Sequence, residues 1–295
     1  MLDQAEKLRS LAKNNLQWNE NYIEESKETI GAKIITITSG KGGVGKSNFV
    51  VNLGITLQKM GKKVLILDAD VGMGNDDVLM GFLPKYNIYD IIFNGKTIDE
   101  VLIQGPYGIK LLPAGTGLNK IDELENDKRE EFLNKLEEIN TFDFILMDTG
   151  AGINKNVLAF VDCSEDLIIV TTPEPTSLTD AYSLMKAIVH FKLKDKAKIV
   201  VNKVLDYEEG LKTFNKFNNA AKRFLKIELD HLGNISEDRK LIEAVRSQKP
   251  VVISSPNCKA ALDIEEIALK LCGYNKRIKS DGIQGIFKKI FHIFS

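Results

Sequence analysis

A glycine- and lysine-rich run at residues 40–47 limits the possible folds of this chain more than any other feature. It reads Gly-Lys-Gly-Gly-Val-Gly-Lys-Ser and fits the pattern G-x-x-x-x-G-K-[ST]. The β-branched segment 33–38 before it predicts a strand, and the apolar segment 48–60 after it predicts a helix. Glycines let the backbone N–H groups of such a loop converge on a phosphate, and the helix adds its positive end. We therefore predict that Lys46 neutralises β- and γ-phosphate charge and that the Ser47 hydroxyl ligates Mg²⁺.

Strand and helix signals alternate along the rest of the chain. Short β-branched runs occur at residues 33–38, 63–68, 109–112, 142–148, 166–171, 198–202 and, more weakly, 227–232. Amphipathic segments lie between them at residues 48–60, 127–140, 177–191 and 211–226. Near-continuous apolar strands interleaved with helices indicate an α/β fold, a mostly parallel sheet with helices on both faces. At 295 residues and 43% hydrophobic content, the chain is long and apolar enough for a large core.

Two aspartates end apolar strands of this predicted sheet. The run KVLILD ends at Asp68, and the run FDFILMD ends at Asp148. Because parallel strands end at the same edge of a sheet, both carboxylates should approach the phosphate loop. An apolar strand that ends in aspartate is the Walker B pattern, which holds the shell of a bound Mg²⁺. We predict Ser47, Asp68 and Asp148 as the metal site.

A second lysine, Lys41, stands near the start of the loop, where an ordinary phosphate loop does not need one. From there it reaches its own γ-phosphate poorly, but it could reach one across a dimer interface. With it, residues 41–47 fit K-G-G-x-G-K-[ST] and resemble the deviant phosphate loop of the MinD/ParA-type ATPases. The resemblance covers roughly residues 33–273. It implies a MinD-like P-loop fold, ATP as the nucleotide, and a homodimer that sandwiches two ATP molecules.

The resemblance also assigns roles to single residues. Asp70, in the D-x-D after the second strand, would orient the attacking water, and hydrolysis would be slow. Asp148 opens a segment similar to the family's D-x-P-A-G switch, with Gly150 in place of proline, which implies a more flexible loop. Asn202 matches the position that reads adenine. The predicted catalytic residues are Lys41 and Asp70, and the predicted ATP-binding residues are Gly40, Lys41, Gly42, Gly43, Val44, Gly45, Lys46, Ser47, Asn48 and Asn202.

The last 13 residues form a strongly amphipathic pattern after a basic linker. At 100° per residue, the large apolar residues fall on one side of a helix: Ile283, Ile286, Phe287, Ile290, Phe291, Ile293 and Phe294. So short a helix is unstable alone in water and should order only against an apolar surface. The lysines of segment 274–295 favour an anionic membrane surface. Docking on the protein's own domain is the alternative, as a second, nucleotide-dependent state.

The first residues give a more specific resemblance. The segment from Asp3 to Arg9 fits D-Q-A-x-x-L-R, which is similar to the opening of the FlhG (FleN) family of flagellum-number regulators, relatives of MinD. The resemblance implies that this arm activates an FlhF-like GTPase, and that the chain meets flagellar basal-body or switch-complex proteins. The predicted partner-binding residues are Asp3, Gln4, Ala5, Leu8 and Arg9. Packing of the arm on its own domain is the alternative.

These patterns predict three regions and one overall function. The regions are an N-terminal partner-binding arm (1–30), an ATPase domain (31–273) and a basic linker with an amphipathic membrane-targeting helix (274–295). The function is that of a cytoplasmic switch ATPase that dimerises with ATP, attaches to the inner face of the cell membrane and regulates flagellar placement and number.

Several other functions are compared with this prediction. The net charge of −1 argues against nucleic acid as a partner, and three cysteines without a C-x-x-C argue against zinc, disulfide or iron–sulfur chemistry. A MinD-like division-site ATPase, a ParA-type DNA-partition ATPase and an assembly adaptor that binds ATP without turnover remain alternatives.

Overall fold

An eight-stranded sheet runs through the part of the chain that the structure describes. The structure, a computed structural model, describes residues 31–70, 74, 76–113, 115, 126–137, 141–273 and 282–294. The strands are β1 (Lys33–Ser39), β2 (Val64–Ala69), β3 (Ile103–Gln104), β4 (Lys110–Pro113), β5 (Phe144–Ala151), β6 (Asp166–Thr171), β7 (Lys196–Val204) and β8 (Glu228–Ser236). Their order is β3-β4-β2-β5-β1-β6-β7-β8. All neighbouring pairs are parallel except β3 with β4.

Helices cover both faces of this sheet. They are α1 (Lys46–Lys59), α2 (Asp76–Leu79), α3 (Ile88–Phe93), α4 (Ile98–Val101), α5 (Asn126–Glu137), α6 (Lys155–Cys163), α7 (Pro175–His190), α8 (Tyr207–Phe224), α9 (Arg239–Arg246), α10 (Val251–Ser254), α11 (Lys259–Gly273) and α12 (Gly282–Phe294), with a 3₁₀ turn at Pro106–Gly108. Helices α1, α10 and α11 pack on one face, and α5 to α8 with α12 pack on the other. The predicted mostly parallel α/β fold is confirmed.

Most predicted strands lie within a few residues of their structural bounds, whereas seven of the twelve helices in the described ranges, α2 to α4, α6 and α9 to α11, were not predicted. Helix α6 has five consecutive buried residues, 157–161. Because it is buried nearly all round, it lacks the 3.6-residue apolar period on which helix prediction depends. Helix α11 packs against α1 and β8. The antiparallel strand β3, only two residues long, was also missed.

The C-terminal helix α12 is docked on the protein's own domain, against α5 and α6. Five predicted membrane residues are at most 5% exposed there: Ile283, Ile286, Phe287, Ile290 and Phe291. The ring of Phe132 on α5 meets that of Phe287 edge-on, with centroids 5.0 Å apart. Gln284 Nε2 donates to the Leu133 carbonyl at 3.3 Å. In this conformation the apolar face therefore contacts the domain, which is the docked alternative, and it is not available to a membrane.

Two of the predicted segments lie outside the described residues. These are the N-terminal arm, with Asp3, Gln4, Ala5, Leu8 and Arg9, and the basic linker at 274–281; the side chain of Phe294 is also outside them. Within the described ranges, no helix is both long enough and apolar enough to cross a membrane.

Candidate active site

The loop at residues 40–47 owes its shape to glycines in a left-handed conformation. Gly43 has φ +78° and Gly45 has φ +91°, a region that L side chains rarely adopt. A Cβ atom on Gly45 would also overlap the side-chain amide nitrogen of Asn202. Asn202 Nδ2 donates to the Val44 carbonyl at 2.7 Å. The loop thus has the concave backbone of a phosphate cradle, and it leads directly into α1 at Lys46.

Contacts from two other elements hold the loop. A Cβ atom on Gly40 would overlap the backbone of Asp180 in α7, so only glycine permits this close approach. On the other side, Lys203 Nζ donates to the Gly43 carbonyl at 2.9 Å. Ser39 Oγ donates to the Lys41 carbonyl at 2.9 Å. The backbone of the loop is therefore fixed by β1, α7 and the end of β7.

The strand register brings the two strand-ending aspartates together. Asp68 of β2 and Asp148 of β5 are direct register partners, next to β1 and the loop. Lys46 Nζ forms an ion pair with Asp148 Oδ1, and the two side chains are 8% and 2% exposed. Lys46 Nζ also donates a hydrogen bond to Ser47 Oγ at 3.4 Å. The predicted residues Lys46, Ser47, Asp68 and Asp148 thus converge at one edge of the sheet.

A third buried carboxylate, that of Asp76, was not predicted. Asp76 is 0% exposed, and neither of its side-chain oxygens accepts a hydrogen bond within the described structure. Burial, together with the nearby charges of Asp148 and Asp68, raises its pKa well above the usual range. The only signal in the sequence is the acidic pair Asp76-Asp77, eight residues after Asp68.

The same crowding acts on Asp68. Burial first, and then the charge of Asp148, raise the pKa of Asp68 to about 7. Its carboxylate accepts hydrogen bonds from the backbone N–H groups of Asp70 and Asp76, the first at 3.3 Å. Asp68 therefore also holds the backbone that follows β2.

This electrostatic imbalance is one that a divalent cation would relieve. The buried carboxylates of Asp68, Asp76 and Asp148 act on one another, whereas the ion pair with Lys46 is made by Asp148, so the residues fit Mg²⁺. No group of three acidic, histidine or cysteine residues in the described ranges could hold a metal by itself. Mg²⁺ usually keeps several waters and takes substrate phosphates as ligands. We therefore expect Ser47 to supply a direct ligand and the carboxylates to hold the surrounding water.

The residue that follows β2 lies against the end of β5. A Cβ atom on Gly150 would lie 3.4 Å from Asp70 Oδ1, so the half-buried Asp70 contacts the segment that opens with Asp148. This segment is tied to β1, because the Gly152 N–H donates to the Ser39 carbonyl at 2.9 Å. The structure thus brings Asp70 to the predicted switch segment, and its role toward water stays a prediction.

Lys41 is bound within its own subunit. Its Nζ donates to Glu174 Oε2 at 2.7 Å and to Thr176 Oγ1 at 3.0 Å. Neither partner was predicted, although Glu174 follows β6, which is the neighbour of β1 and ends at the same edge. The remaining predicted residues are close by: Gly42 is exposed at the tip of the loop, and Asn48 lies in the first turn of α1.

A comparison with family models and known proteins gives a consistent result. A family model described as an AAA domain matches residues 32–201. The antiactivator FleN of Pseudomonas aeruginosa is 34% identical over 240 residues, which cover 81% of this chain and 86% of FleN. The flagellum site-determining protein YlxH of Helicobacter pylori is 32% identical over 296 residues, which cover 98% of both chains.

Solved structures with the same fold include cell-division proteins. A chain of the MinC:MinD cell division protein complex of Aquifex aeolicus has a TM-score of 0.67 and 28% identity, covering 85% of this chain and all of that one. The septum site-determining protein MinD of Pyrococcus horikoshii, complexed with Mg-ADP, has a TM-score of 0.64 and 25% identity, covering 81% and 96%. Together with the two-lysine loop and the paired strand-ending aspartates, these matches, which include the antiactivator FleN and the flagellum site-determining protein YlxH, show that the chain belongs to the MinD/ParA-type family of P-loop ATPases.

Proposed function

We propose that this ATPase is a nucleotide-dependent membrane switch that regulates where and how many flagella form. The observation that carries the membrane part is the burial of the apolar face of α12 on α5 and α6. A short helix with Ile and Phe on one face and Lys288 exposed on the other is suited to both a protein groove and an anionic lipid surface. Docking hides that face in one state, and release presents it in the other.

A direct structural path connects the nucleotide site to the groove under α12. Two residues separate the segment Asp148–Gly152 from α6, which begins at Lys155. The second of them, Asn154, caps the helix because its side chain accepts from the Val157 N–H at 2.9 Å. Phe160 and Cys163 of α6 belong to the same buried cluster as the apolar face of α12. A shift of the 148–152 segment on ATP binding would therefore move one wall of the groove.

The site residues divide the work of ATP hydrolysis in this proposal. Lys46 binds the β- and γ-phosphates in place of Asp148, and Ser47 completes the metal site. Asp70 orients the attacking water beside the 148–152 segment. Lys41 reaches the nucleotide of the partner subunit in an ATP-bound homodimer. Turnover is slow in this proposal because Asp70 only orients the attacking water.

Dimerisation determines whether the tails hold the protein at the membrane. Full burial of one bulky apolar side chain is worth about 1.5–3 kcal/mol, and less at an interface. Ordering the helix consumes much of that gain, so one tail binds reversibly. Two tails held in one dimer gain through effective concentration. ATP-driven dimerisation therefore controls membrane attachment without a new contact in either tail.

The flagellar part of the proposal rests on relatives and on the first residues of the chain. The relative YlxH is named a flagellum site-determining protein, and the segment Asp3–Arg9 resembles the opening of the FlhG (FleN) family, whose name the antiactivator FleN shares. We infer that the arm stimulates an FlhF-like GTPase, and that the ATP-bound dimer meets proteins of the flagellar basal body or switch complex.

Thiol labelling tests the switch, because the chain carries its own reporter. Cys163 is 2% exposed under α12, and burial raises the pKa of its thiol. In the presence of liposomes containing anionic lipid, a non-hydrolysable ATP analogue should increase both the sedimented fraction and the labelling rate of Cys163, read by peptide mass spectrometry. With ADP both should stay low.

Two internal controls sharpen this experiment. Cys258 and Cys272 lie on the opposite side of the sheet, packed against the cluster that contains α1 and α11, so their labelling should not depend on the nucleotide. Neutral liposomes should sediment less protein. Sedimentation with the ATP analogue while Cys163 stays protected would contradict release of α12 as the mechanism of attachment.

A further inference from the structure

Two carboxylates tie the end of β8 and the residues after it to helix α11. Asp263, on α11, accepts a hydrogen bond from the Ser236 N–H at 2.7 Å. In the opposite direction, Asp238 accepts from the Ala260 N–H, in the first turn of α11, at 3.3 Å. The two contacts join residues that are 27 and 22 positions apart. Segment 236–238 therefore owes its position to a helix that is distant in sequence.

Asp238 serves two helices at once. Its Oδ1 accepts from the Lys240 N–H at 2.8 Å, which caps α9, while its Oδ2 accepts from Ala260 of α11. Burial alone would raise the pKa of Asp238, but the hydrogen bonds from the Lys240 and Ala260 N–H groups hold it below the usual range. The carboxylate is therefore charged at neutral pH, and the free N–H groups of a helix N-terminus favour such an anion.

Segment 236–238 runs beside the end of β7, where Asn202 is predicted to read adenine. Val204 and Ser236 are partners in the parallel register of β7 and β8. The Glu237 N–H donates to the Val204 carbonyl at 2.8 Å, which continues the pairing beyond β8. Because both strands end at the same edge of the sheet, a base bound at Asn202 would be bordered by this segment.

Helix α11 also supports the phosphate loop. It packs against α1, the helix into which the loop leads, and buried residues of both helices belong to one cluster. The segment after β7 is fixed only locally, since Asp206 accepts from the Glu209 N–H at 2.8 Å and Glu209 accepts from the Leu205 N–H at 2.7 Å. Helix α11 thus gives the loop and segment 236–238 a common support.

We propose that Asp263 is a positioning residue for the adenine site, which holds segment 236–238 on α11 and so fixes this side of the base pocket relative to the phosphate loop. Asp238 provides the second point of attachment. Asp263 then acts on the binding of the adenine ring and not on the binding of the triphosphate. This inference rests on the proposed ATPase function and on the predicted role of Asn202.

Asp263→Ala is the decisive variant, because it removes the acceptor for the Ser236 N–H and leaves the helix caps made by Asp238 in place. Misplacement that costs one hydrogen bond to the base corresponds to a loss of about 2- to 12-fold in affinity. The dissociation constant of a non-hydrolysable ATP analogue should rise by this factor, whereas that of inorganic triphosphate should stay unchanged. Isothermal titration calorimetry with Mg²⁺ measures both constants. In turnover, KM for ATP should rise and kcat should not change.

Two further variants distinguish positioning from a general loss of structure. Asp263→Asn keeps an oxygen that can accept from the Ser236 N–H, so it should restore most of the affinity for the ATP analogue. Glu265→Ala removes an exposed carboxylate from the same helix and should leave both constants at their wild-type values. Equal weakening of ATP-analogue and triphosphate binding in Asp263→Ala would overturn the positioning role.

A non-hydrolysable GTP analogue separates this inference from the predictions on which it rests. The wild type should bind the ATP analogue more tightly than the GTP analogue, and Asp263→Ala should reduce this preference. A preference that Asp263→Ala leaves unchanged would overturn the role of Asp263 alone. Equal affinity of the wild type for both analogues would overturn the adenine site together with this inference. A wild type that binds neither analogue would overturn the proposed function itself.

Discussion

At the residue scale, both lysines of the phosphate loop form ion pairs with carboxylates of the chain, and a nucleotide phosphate would replace these carboxylates as the partner of each lysine. Lys46 meets Asp148 in a buried pair, whereas Lys41 meets Glu174 at the exposed rim. Removing one partner of a buried pair leaves an uncompensated charge, which commonly costs about 3–5 kcal/mol. Variants of Lys46 therefore combine a loss of phosphate binding with a loss of stability, and they are less informative than variants of Asp70.

Asp70→Ala should separate nucleotide binding from hydrolysis. The variant should bind ATP and dimerise, but turnover should fall by about 10²-fold or more, the range for a group that positions a reactant. The trapped ATP form should sediment with anionic liposomes for longer than the wild type. Phosphate release and co-sedimentation measure the two effects, with the exposed Asp99→Ala as control. Wild-type turnover would remove Asp70 from the mechanism.

The crowded carboxylates predict an unusual pH dependence of stability without nucleotide or metal. The folded pKa values of Asp68, about 7, and of Asp76 lie above the unfolded value of about 3.9. The folded state thus holds more protons between roughly pH 4 and 7. Their contribution to the free energy of unfolding is therefore present at low pH and declines as pH rises through this window.

Asp76→Asn should weaken this dependence. The amide carries no charge, and its presence also lowers the repulsion on Asp68. The free energy of unfolding should fall from pH 5 to pH 8 in both proteins. We expect this fall to be smaller in the variant than in the wild type by about 1–3 kcal/mol, the range for an unpaired buried group. Urea unfolding at both pH values measures it, with Asp99→Asn as control. An equal loss in variant and wild type would contradict the assignment.

At the element scale, α12 takes part in both docking and membrane binding, whereas its groove takes part in docking only. The same five apolar side chains of α12 fill the groove in the docked state and would enter lipid in the released state. The groove side includes Phe132 on α5, whose ring lies 5.0 Å from Phe287 and 6.1 Å from Phe291. A change on the groove weakens docking only, whereas a change on α12 weakens both docking and membrane binding.

Two substitutions at this contact should therefore have opposite effects on attachment. Phe132→Ala removes a buried ring, a change worth about 3–5 kcal/mol in cores, and should raise both sedimentation with ADP and the labelling of Cys163. Phe287→Glu places a charge in the apolar face and should abolish sedimentation even with ATP. Liposome co-sedimentation compares them. Equal sedimentation of both variants would mean that α12 is not the anchor.

The basic residues of α12 provide the control for this pair. Lys288→Ala with Lys289→Ala leaves the apolar face intact and should weaken sedimentation mildly. The effect should appear mainly on anionic lipid and at low salt, because screening removes surface attractions at high ionic strength.

At the scale of the whole molecule, the nucleotide site and the groove for α12 lie on different parts of the same sheet. Its carboxyl edge carries the loop, Asp68, Asp148 and Asn202, while the face toward α5 and α6 carries the groove for α12. The described chain begins at Gly31, and its first strand is β1, which leads into the loop. The predicted partner arm therefore precedes the central strand of the nucleotide site.

Deletion of residues 1–24 should separate partner action from the ATPase. ATP hydrolysis and dimerisation should stay near wild type, because the deleted residues lie before β1 and outside the predicted site. Stimulation of an FlhF-like GTPase should be lost, as measured by GTP turnover with purified proteins. Gln4→Ala in the full chain should reproduce much of that loss. Full stimulation by the truncated protein would contradict the role of the arm.

The sequence alone determined those parts of this protein that depend on local pattern. The strand–loop–helix at residues 33–60 was predicted because its glycine spacing, its β-branched run and its apolar period each depend on neighbouring residues only. The approach of Asp68 to Asp148 was predicted because parallel strands end at a common edge. Their register then places the two residues side by side.

Tertiary structure decided the features that depend on contacts between segments far apart in the sequence. Local pattern gives α12 an apolar face but does not choose between lipid and a groove assembled from α5, α6 and the sheet, more than 100 residues away in sequence. The pairing of Lys41 with Glu174 spans 133 residues, and the burial of Asp76 depends on how the chain after β2 returns to β5. Such contacts depend on which segments the fold brings together, and the spacing of apolar residues along the sequence does not reveal this.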